Sequence, residues 1–161
     1  MHCSSCTAAF RVNLVPVRSG KGEQVPILLV EDDDNDVLFM QLAFKRAGVP
    51  NPLFVVWDGD EAIEYLTGSG NFTDRAKHPM PCLILTDLKM PRASGFDLLR
   101  WLQPNLAHIP AIVLSSSDQP RDRQLALDLG AKDYWVKPSQ IEVLMQLVRE
   151  MRNTWVAAHC S

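Results

Sequence analysis

The stretch VPILLV at residues 25–30, followed at once by EDDDND at 31–36, decides how the chain reads. An apolar run without alternation is the pattern of a strand covered on both faces. The acids stand where that strand ends. From Asp34 to Ala47 the positions Val37, Met40, Gln41, Phe44 and Ala47 fall near helical spacing, and Leu38 and Leu42 widen the stripe. Gly48 and Pro50 stop it. The unit is a buried strand, an acidic turn and an amphipathic helix.

The unit then repeats. Leu53–Trp57, Cys82–Thr86, Ile109–Leu114 and the shorter Asp133–Val136 read as strands. Asp60–Leu66, Gly95–Leu102, Pro120–Leu129 and Gln140–Trp155 read as helices, the last with Ile141, Leu144, Met145, Val148, Met151 and Trp155 on one face. Ser69–Pro81 is polar and without period, and reads as an extended loop. Five strand-helix units in about 130 residues predict an α/β, doubly wound, five-stranded parallel sheet with helices on both faces. A barrel of eight such units needs about 250 residues. The expected organisation is an N-terminal tail at 1–24, one domain at 25–155 and a short C-terminal tail at 156–161.

Composition agrees with this and excludes other classes. The 161 residues are 47% apolar and 22% charged, enough for one domain with its own core and too apolar for disorder throughout. Sixteen basic against nineteen acidic residues leave a net charge of −3, so the phosphate-binding footprint of a nucleic-acid protein is missing. The longest apolar runs are far too short to span a membrane. Of the cysteines, Cys3, Cys6 and Cys160 lie near a terminus, Cys82 stands alone, and no secretory signal precedes them. This reads as no disulfide framework and as a reducing cytosol. Cys3-x-x-Cys6, with His2 beside it, lacks the four ligands of a zinc site.

In a doubly wound sheet the functional crevice lies at the carboxyl ends of the strands. After the first strand come Glu31 and Asp32, within five acids in six residues. Two unit charges ~5 Å apart repel by ~3 kcal/mol at an effective dielectric of about 20, so the cluster needs a reason. Helix capping by Asp34 and the helix dipole account for Asp33, Asp34 and Asp36. They do not account for Glu31 and Asp32, which belong to the strand end. After the third strand comes Asp87, after the fourth Ser115-Ser116-Ser117, and after the fifth Lys137-Pro138. A hydroxyl or a lysine alone is usually loop chemistry. Together they form one constellation. Three converging carboxylates call for a hard cation, and oxygen ligands suit Mg²⁺. An EF-hand does not fit the run from Asp32, because Val37 stands where glycine is required and Ala43 where glutamate is required. A carboxylate nucleophile flanked by a metal and a lysine suits phosphoryl transfer, in which positioning and charge neutralisation dominate.

The motifs ILLVEDD at 27–33, LILTDLKMP at 83–91, IPAIVLS at 109–115 and DYWVKP at 133–138 carry a resemblance. Asp87 to Ser115 spans 28 positions and Ser115 to Lys137 spans 22. Residues 26–152 resemble a response-regulator receiver domain of bacterial two-component signalling. The resemblance implies a flavodoxin-like strand order, 2-1-3-4-5. It implies that Asp87 is the phosphorylated aspartate, that Asp32 ligates Mg²⁺ directly and Glu31 through water, and that the Lys89 backbone carbonyl joins them. It makes Ser115 and Lys137 the phosphoryl-binding hydroxyl and ammonium, Tyr134 the aromatic that swings inward on activation, and Lys137–Pro138 a cis peptide bond. Asp33 and Asp34 add charge that would tune metal affinity. The longer loop from Thr67 to Pro81, the E-D-x-x-x-D-V opening at 31–37 and VVWDGDEA at 55–62 are similar to the single-domain, phytochrome-associated members.

The implied function is a stand-alone phosphorylation switch, cytoplasmic, without nucleic acid or membrane. Its expected phosphodonor is a sensor histidine kinase of the phytochrome type, or a histidine phosphotransfer protein. With only Val156 to Ser161 after the last helix, no helix-turn-helix is expected to follow, so output is expected by protein contact. Trp135, expected to project beside Tyr134, places homodimerisation or partner binding on the face of helix four, strand five and helix five. Two rivals remain. One is a phosphorylation-independent interaction module on the same fold. The other is an aspartate-nucleophile phosphatase, disfavoured because Lys89 stands where its second acid is needed.

Overall fold

Strand β1 (Ile27–Val30) is the axis of the molecule, and all four of its side chains are buried. It is paired along both edges: Ile27 to Val30 lie opposite Leu53 to Val56 of β2 (Leu53–Val56) on one side and Leu83 to Thr86 of β3 (Leu83–Thr86) on the other. β4 (Ala111–Ser115) and β5 (Asp133–Val136) follow β3, so the all-parallel sheet has the order β2-β1-β3-β4-β5. The computed structural model describes residues 24–160. The expected N-terminal tail, up to residue 23, and with it the Cys3-x-x-Cys6 pair, lies outside the described residues.

The pleat sends alternate side chains to opposite faces. Ile27, Leu29, Leu83 and Leu85 pack on α1 (Asp34–Ala47) and α5 (Ile141–Met151) through Met40, Phe44, Leu144 and Val148. Leu28, Val30, Ile84 and Val113 pack on α2 (Gly59–Thr67), α3 (Gly95–Asn105) and α4 (Pro120–Asp128) through Tyr65, Leu98, Leu99 and Ala126. Each large apolar side chain so buried contributes roughly 1.5–3 kcal/mol. Truncating the wholly buried Leu85 to alanine would cost about 2–5 kcal/mol.

Several local expectations are corrected. The cap of α1 is Asp33, not Asp34: its backbone is extended and its carboxylate accepts the N–H groups of Asn35 and Asp36 at 2.8 and 3.1 Å. The segment 69–81 is not extended. It holds a 3₁₀ turn, Gly70–Phe72, and Phe72 and His78 pack on Tyr65 with ring centroids 5.1 and 5.9 Å away. The Tyr65 hydroxyl donates to the Pro79 carbonyl at 2.8 Å, which closes the loop onto α2. Aromatic residues at irregular spacing leave no periodic signal, so the sequence pattern missed this.

The C-terminus differs most. Helix α5 ends at Met151, a π-turn covers Arg152–Val156, and a short helix α6 covers Ala157–His159. Val156 and Cys160 are buried, so residues 156–160 are no tail. Cys160 is disulfide-bonded to Cys82, just before β3, with Cα atoms 5.3 Å apart across a sequence separation of 78. The expectation of unpaired cysteines is thereby overturned. The helical extension of α5 carries Cys160 to the start of β3, which neither spacing nor composition reveals. Trp135 is also corrected. It is 8% exposed, in the core shared with α1 and α5, and its indole N–H donates to Asp133 at 3.0 Å. Val136 is the outward residue of β5. The Lys137–Pro138 bond is trans. Among the described residues no helix is long and apolar enough to cross a membrane.

Candidate functional site

Backbone pairing continues one step past the strands and gathers the acids. Glu31 N–H donates to the Val56 carbonyl and Asp87 N–H to the Val30 carbonyl, both at 3.0 Å. The ends of β1 and β3 are thus held side by side. One carboxylate oxygen from each of Glu31, Asp32 and Asp87 lies within 4.8 Å of the others. Glu31 and Asp87 are buried, whereas Asp32 is exposed and faces the solvent side of the cluster. All three are hard oxygen donors beside water, the donor set that suits Mg²⁺.

Lys137 closes the arrangement. Its N–H donates to the Ser115 carbonyl at 2.7 Å, which keeps it on the line of β5 past the end of β4. Its Nζ donates to Asp87 Oδ2 at 2.8 Å and to Asp36 Oδ2 at 2.6 Å, and lies 2.8 Å from Glu31 Oε2. The other Asp87 oxygen accepts the Leu88 N–H at 2.6 Å. Burial opposes the lysine's charge, but the hydrogen bonds it donates to Asp36, Asp87 and Glu31 outweigh that and hold the ammonium well above its ordinary pKa. Burial pushes the Glu31 carboxyl up to about 7; its hydrogen bond to Lys137 opposes that rise, and the Asp87 charge adds to it. The basin is therefore anionic, and Lys137 neutralises it only in part.

Two glycines let the surrounding loops approach. A Cβ on Gly95 would meet the Asp87 carbonyl oxygen at 2.0 Å, so the start of α3 packs directly on the Asp87 backbone only because position 95 has no side chain. A Cβ on Gly59 would meet the Ala93 carbonyl oxygen at 2.9 Å. Between these contacts Arg92 adopts a left-handed φ of 63° and its Nη2 lies 2.6 Å from Asp58. The loop after β3 is thus tied to the start of α2.

Ser115 is fully buried at the end of β4, and its hydroxyl accepts the Ser117 N–H at 3.2 Å. Tyr134, expected to swing inward, stands inward in this structure: it is 3% exposed and its hydroxyl donates to the Ser117 carbonyl at 2.7 Å. Lys89 is exposed in the loop two residues beyond Asp87. The structure therefore brings together Glu31, Asp32, Asp87 and Lys137, sets Ser115 at the neighbouring strand end, and places Tyr134 behind it. The residue that sequence reasoning missed is Asp36, which the helix dipole alone had explained. Its signal was the surplus of acids over what one cap requires.

Residues 27–149 match the family described as response regulator receiver domain. Response regulator Rcp1 of Synechocystis sp. (strain PCC 6803) is 30% identical over 132 residues, covering 81% of this chain and 88% of Rcp1. The crystal structure of RPA3017, a response regulator in red light signaling of R. palustris, superposes with a TM-score of 0.77 at 32% identity, covering 81% of this chain and 93% of that one. The phosphorylated cyanobacterial phytochrome response regulator RcpA gives 0.74 at 31% identity, covering 83% and 95%. The Mn²⁺-bound form of Rcp1 gives 0.71 at 28% identity, covering 81% and 94%. Phosphorylation and binding of Mg²⁺ or Mn²⁺ at an acidic pocket are features of this family. The strand order, the acidic basin and these matches agree, and the chain belongs to the response regulator receiver domain family of two-component systems.

Proposed function

We propose that this protein is a stand-alone response regulator that accepts a phosphoryl group on Asp87 from the phosphohistidine of a sensor histidine kinase, of the phytochrome type, or of a histidine phosphotransfer protein. The observation that carries the reading is the Asp87 carboxylate, held by Lys137 at 2.8 Å beside Glu31 and Asp32 at the switch in strand order. An Asp87 oxygen attacks phosphorus and forms a P–O bond. The donor's P–N bond breaks, and its electron pair leaves with the imidazole nitrogen. Lys137 is already within reach of the carboxylate and takes up charge developing on the phosphoryl oxygens. Glu31, Asp32 and Asp87 would hold Mg²⁺, with the Lys89 carbonyl as a fourth ligand, and the ion would supply further neutralisation of that charge. Transfer is stoichiometric, not turnover, because Lys89 occupies the place of a leaving-group acid.

The signal passes through Ser115. Its hydroxyl accepts the Ser117 N–H and has its own proton to donate to a phosphoryl oxygen, and the β4–α4 loop follows that bond. The output surface is the face of α4, β5 and α5, where the exposed Leu125, Val136 and Val143 take the part once expected of Trp135, in a homodimer or with another protein. A cytoplasmic site of action follows from dependence on a kinase's phosphohistidine. Beryllofluoride with Mg²⁺, a mimic of the acyl phosphate, tests the reading. It should shift the spectrum or assembly state of the wild-type protein and leave Asp87→Asn unchanged. Silence in the wild type would favour a phosphorylation-independent module.

A further inference from the structure

Tyr134 is held from two sides by one turn of helix, and neither hold belongs to the phosphoryl chemistry. Its hydroxyl donates to the Ser117 carbonyl at 2.7 Å. Ser117 is in turn fixed by α4: its hydroxyl donates to Asp122 Oδ2 at 2.5 Å and accepts the Gln119 N–H at 3.3 Å. The next residue, Arg123, grips the tyrosine itself. Its Nη1 donates to the Tyr134 carbonyl at 3.0 Å, and its guanidinium carbon lies 5.9 Å from the centroid of the Tyr134 ring. β5 is an edge strand, so an outward carbonyl there is free to take a side-chain donor. Bonded to it, the cation lies over the ring and covers it from solvent.

We infer that the Asp122-Arg123 pair in the first turn of α4 latches Tyr134 in its inward position: Asp122 fixes the acceptor of the tyrosine hydroxyl, and Arg123 fixes the tyrosine. Both are positioning residues. The equilibrium of the switch is then set by α4 as well as by Ser115, and the α4–β5 surface is arranged for output before phosphoryl transfer. An outward swing of the ring gives up the hydroxyl bond to Ser117 and the cation over its face together. The inference rests on the reading of Tyr134 as the switch residue.

The test uses fluorine NMR on full-length protein labelled with 3-fluorotyrosine. The chain has two tyrosines, so two resonances are expected. Tyr65, 1% exposed and packed on Phe54, Phe72 and His78, is the internal control for folding. Arg123→Gln should raise the ratio of outward to inward Tyr134 about tenfold, equivalent to about 1.4 kcal/mol, with the Tyr65 line unmoved. Asp122→Asn should act in the same direction. Arg123→Lys keeps a cation and should restore part of the inward population. Beryllofluoride with Mg²⁺ should draw the Arg123→Gln line back toward the inward position. An unmoved Tyr134 line in Arg123→Gln overturns the latch. A moved line that beryllofluoride leaves in place overturns the reading of Tyr134 as a phosphorylation switch while the latch stands, so the two failures are told apart.

Discussion

Replacing Lys137 by methionine removes the cation that contacts Glu31, Asp36 and Asp87. The side chain is 15% exposed, and two of its partners are buried. Breaking a buried pair by deleting one partner costs about 3–5 kcal/mol, because the other charge remains. Here the cost should depend on pH. In the wild type Glu31 has a folded pKa of about 7 against an ordinary 4.5, so the native state binds more protons than the unfolded state between those values. Stability therefore falls as pH rises through that window, and the loss is complete above the folded pKa. Lys137 lowers the Glu31 pKa, so its removal widens the window upward. Lys137→Met should then lose about 3 kcal/mol or more near pH 8 and distinctly less near pH 5.5, where Glu31 is protonated in both proteins. Urea unfolding followed by tryptophan fluorescence at the two pH values measures the difference. Mg²⁺ should narrow the gap near pH 8 by supplying the missing positive charge. An equal loss at both pH values, unaffected by Mg²⁺, would refute the picture of an anionic basin neutralised by this lysine.

Other outcomes follow from the same geometry. Mg²⁺ should bind more weakly as pH falls below the Glu31 pKa of about 7, with protons released on binding, and calorimetry in buffers of different ionisation enthalpy would show it. Gly95→Ala should destabilise the protein by at least about 2 kcal/mol and slow phosphorylation of Asp87, since its Cβ would lie 2.0 Å from the Asp87 carbonyl oxygen; wild-type stability and rate in this variant would contradict the close packing. Dithiothreitol should lower the unfolding free energy of the wild type by up to about 4.5 kcal/mol, given the chain length enclosed between Cys82 and Cys160, and should leave Cys160→Ser unaffected.

Most of the site was legible because all but one of its residues stand at or just past the end of a strand. In a parallel sheet, residues at strand ends converge whatever their separation in sequence, so Glu31, Asp32, Asp87, Ser115 and Lys137 could be gathered from element order alone. Asp36 was not legible as a site residue, because its side chain returns to the strand ends from within the first turn of α1, where the helix dipole accounts for an acid already. Trp135 was misjudged for a different reason. On an edge strand the direction of a side chain depends on what covers each face, and here Trp135 turns into the core shared with α1 and α5. The C-terminal helical extension that carries Cys160 to Cys82 involves contacts between residues far apart in the chain, which local periodicity does not encode. The inward stand of Tyr134, with its hydroxyl on the Ser117 carbonyl, is a choice between rotamers that no pattern of residue types expresses.

The most direct measurement is the site of covalent modification. Protein incubated with phosphoramidate and Mg²⁺, reduced with borohydride to trap acyl phosphate, and mapped by peptide mass spectrometry should carry the mark on Asp87 alone. Asp87→Asn should carry none, and Asp32→Asn should react far more slowly. A mark on any other acid of the basin, or equal labelling of Asp87→Asn, would contradict the assignment of Asp87 as the nucleophile.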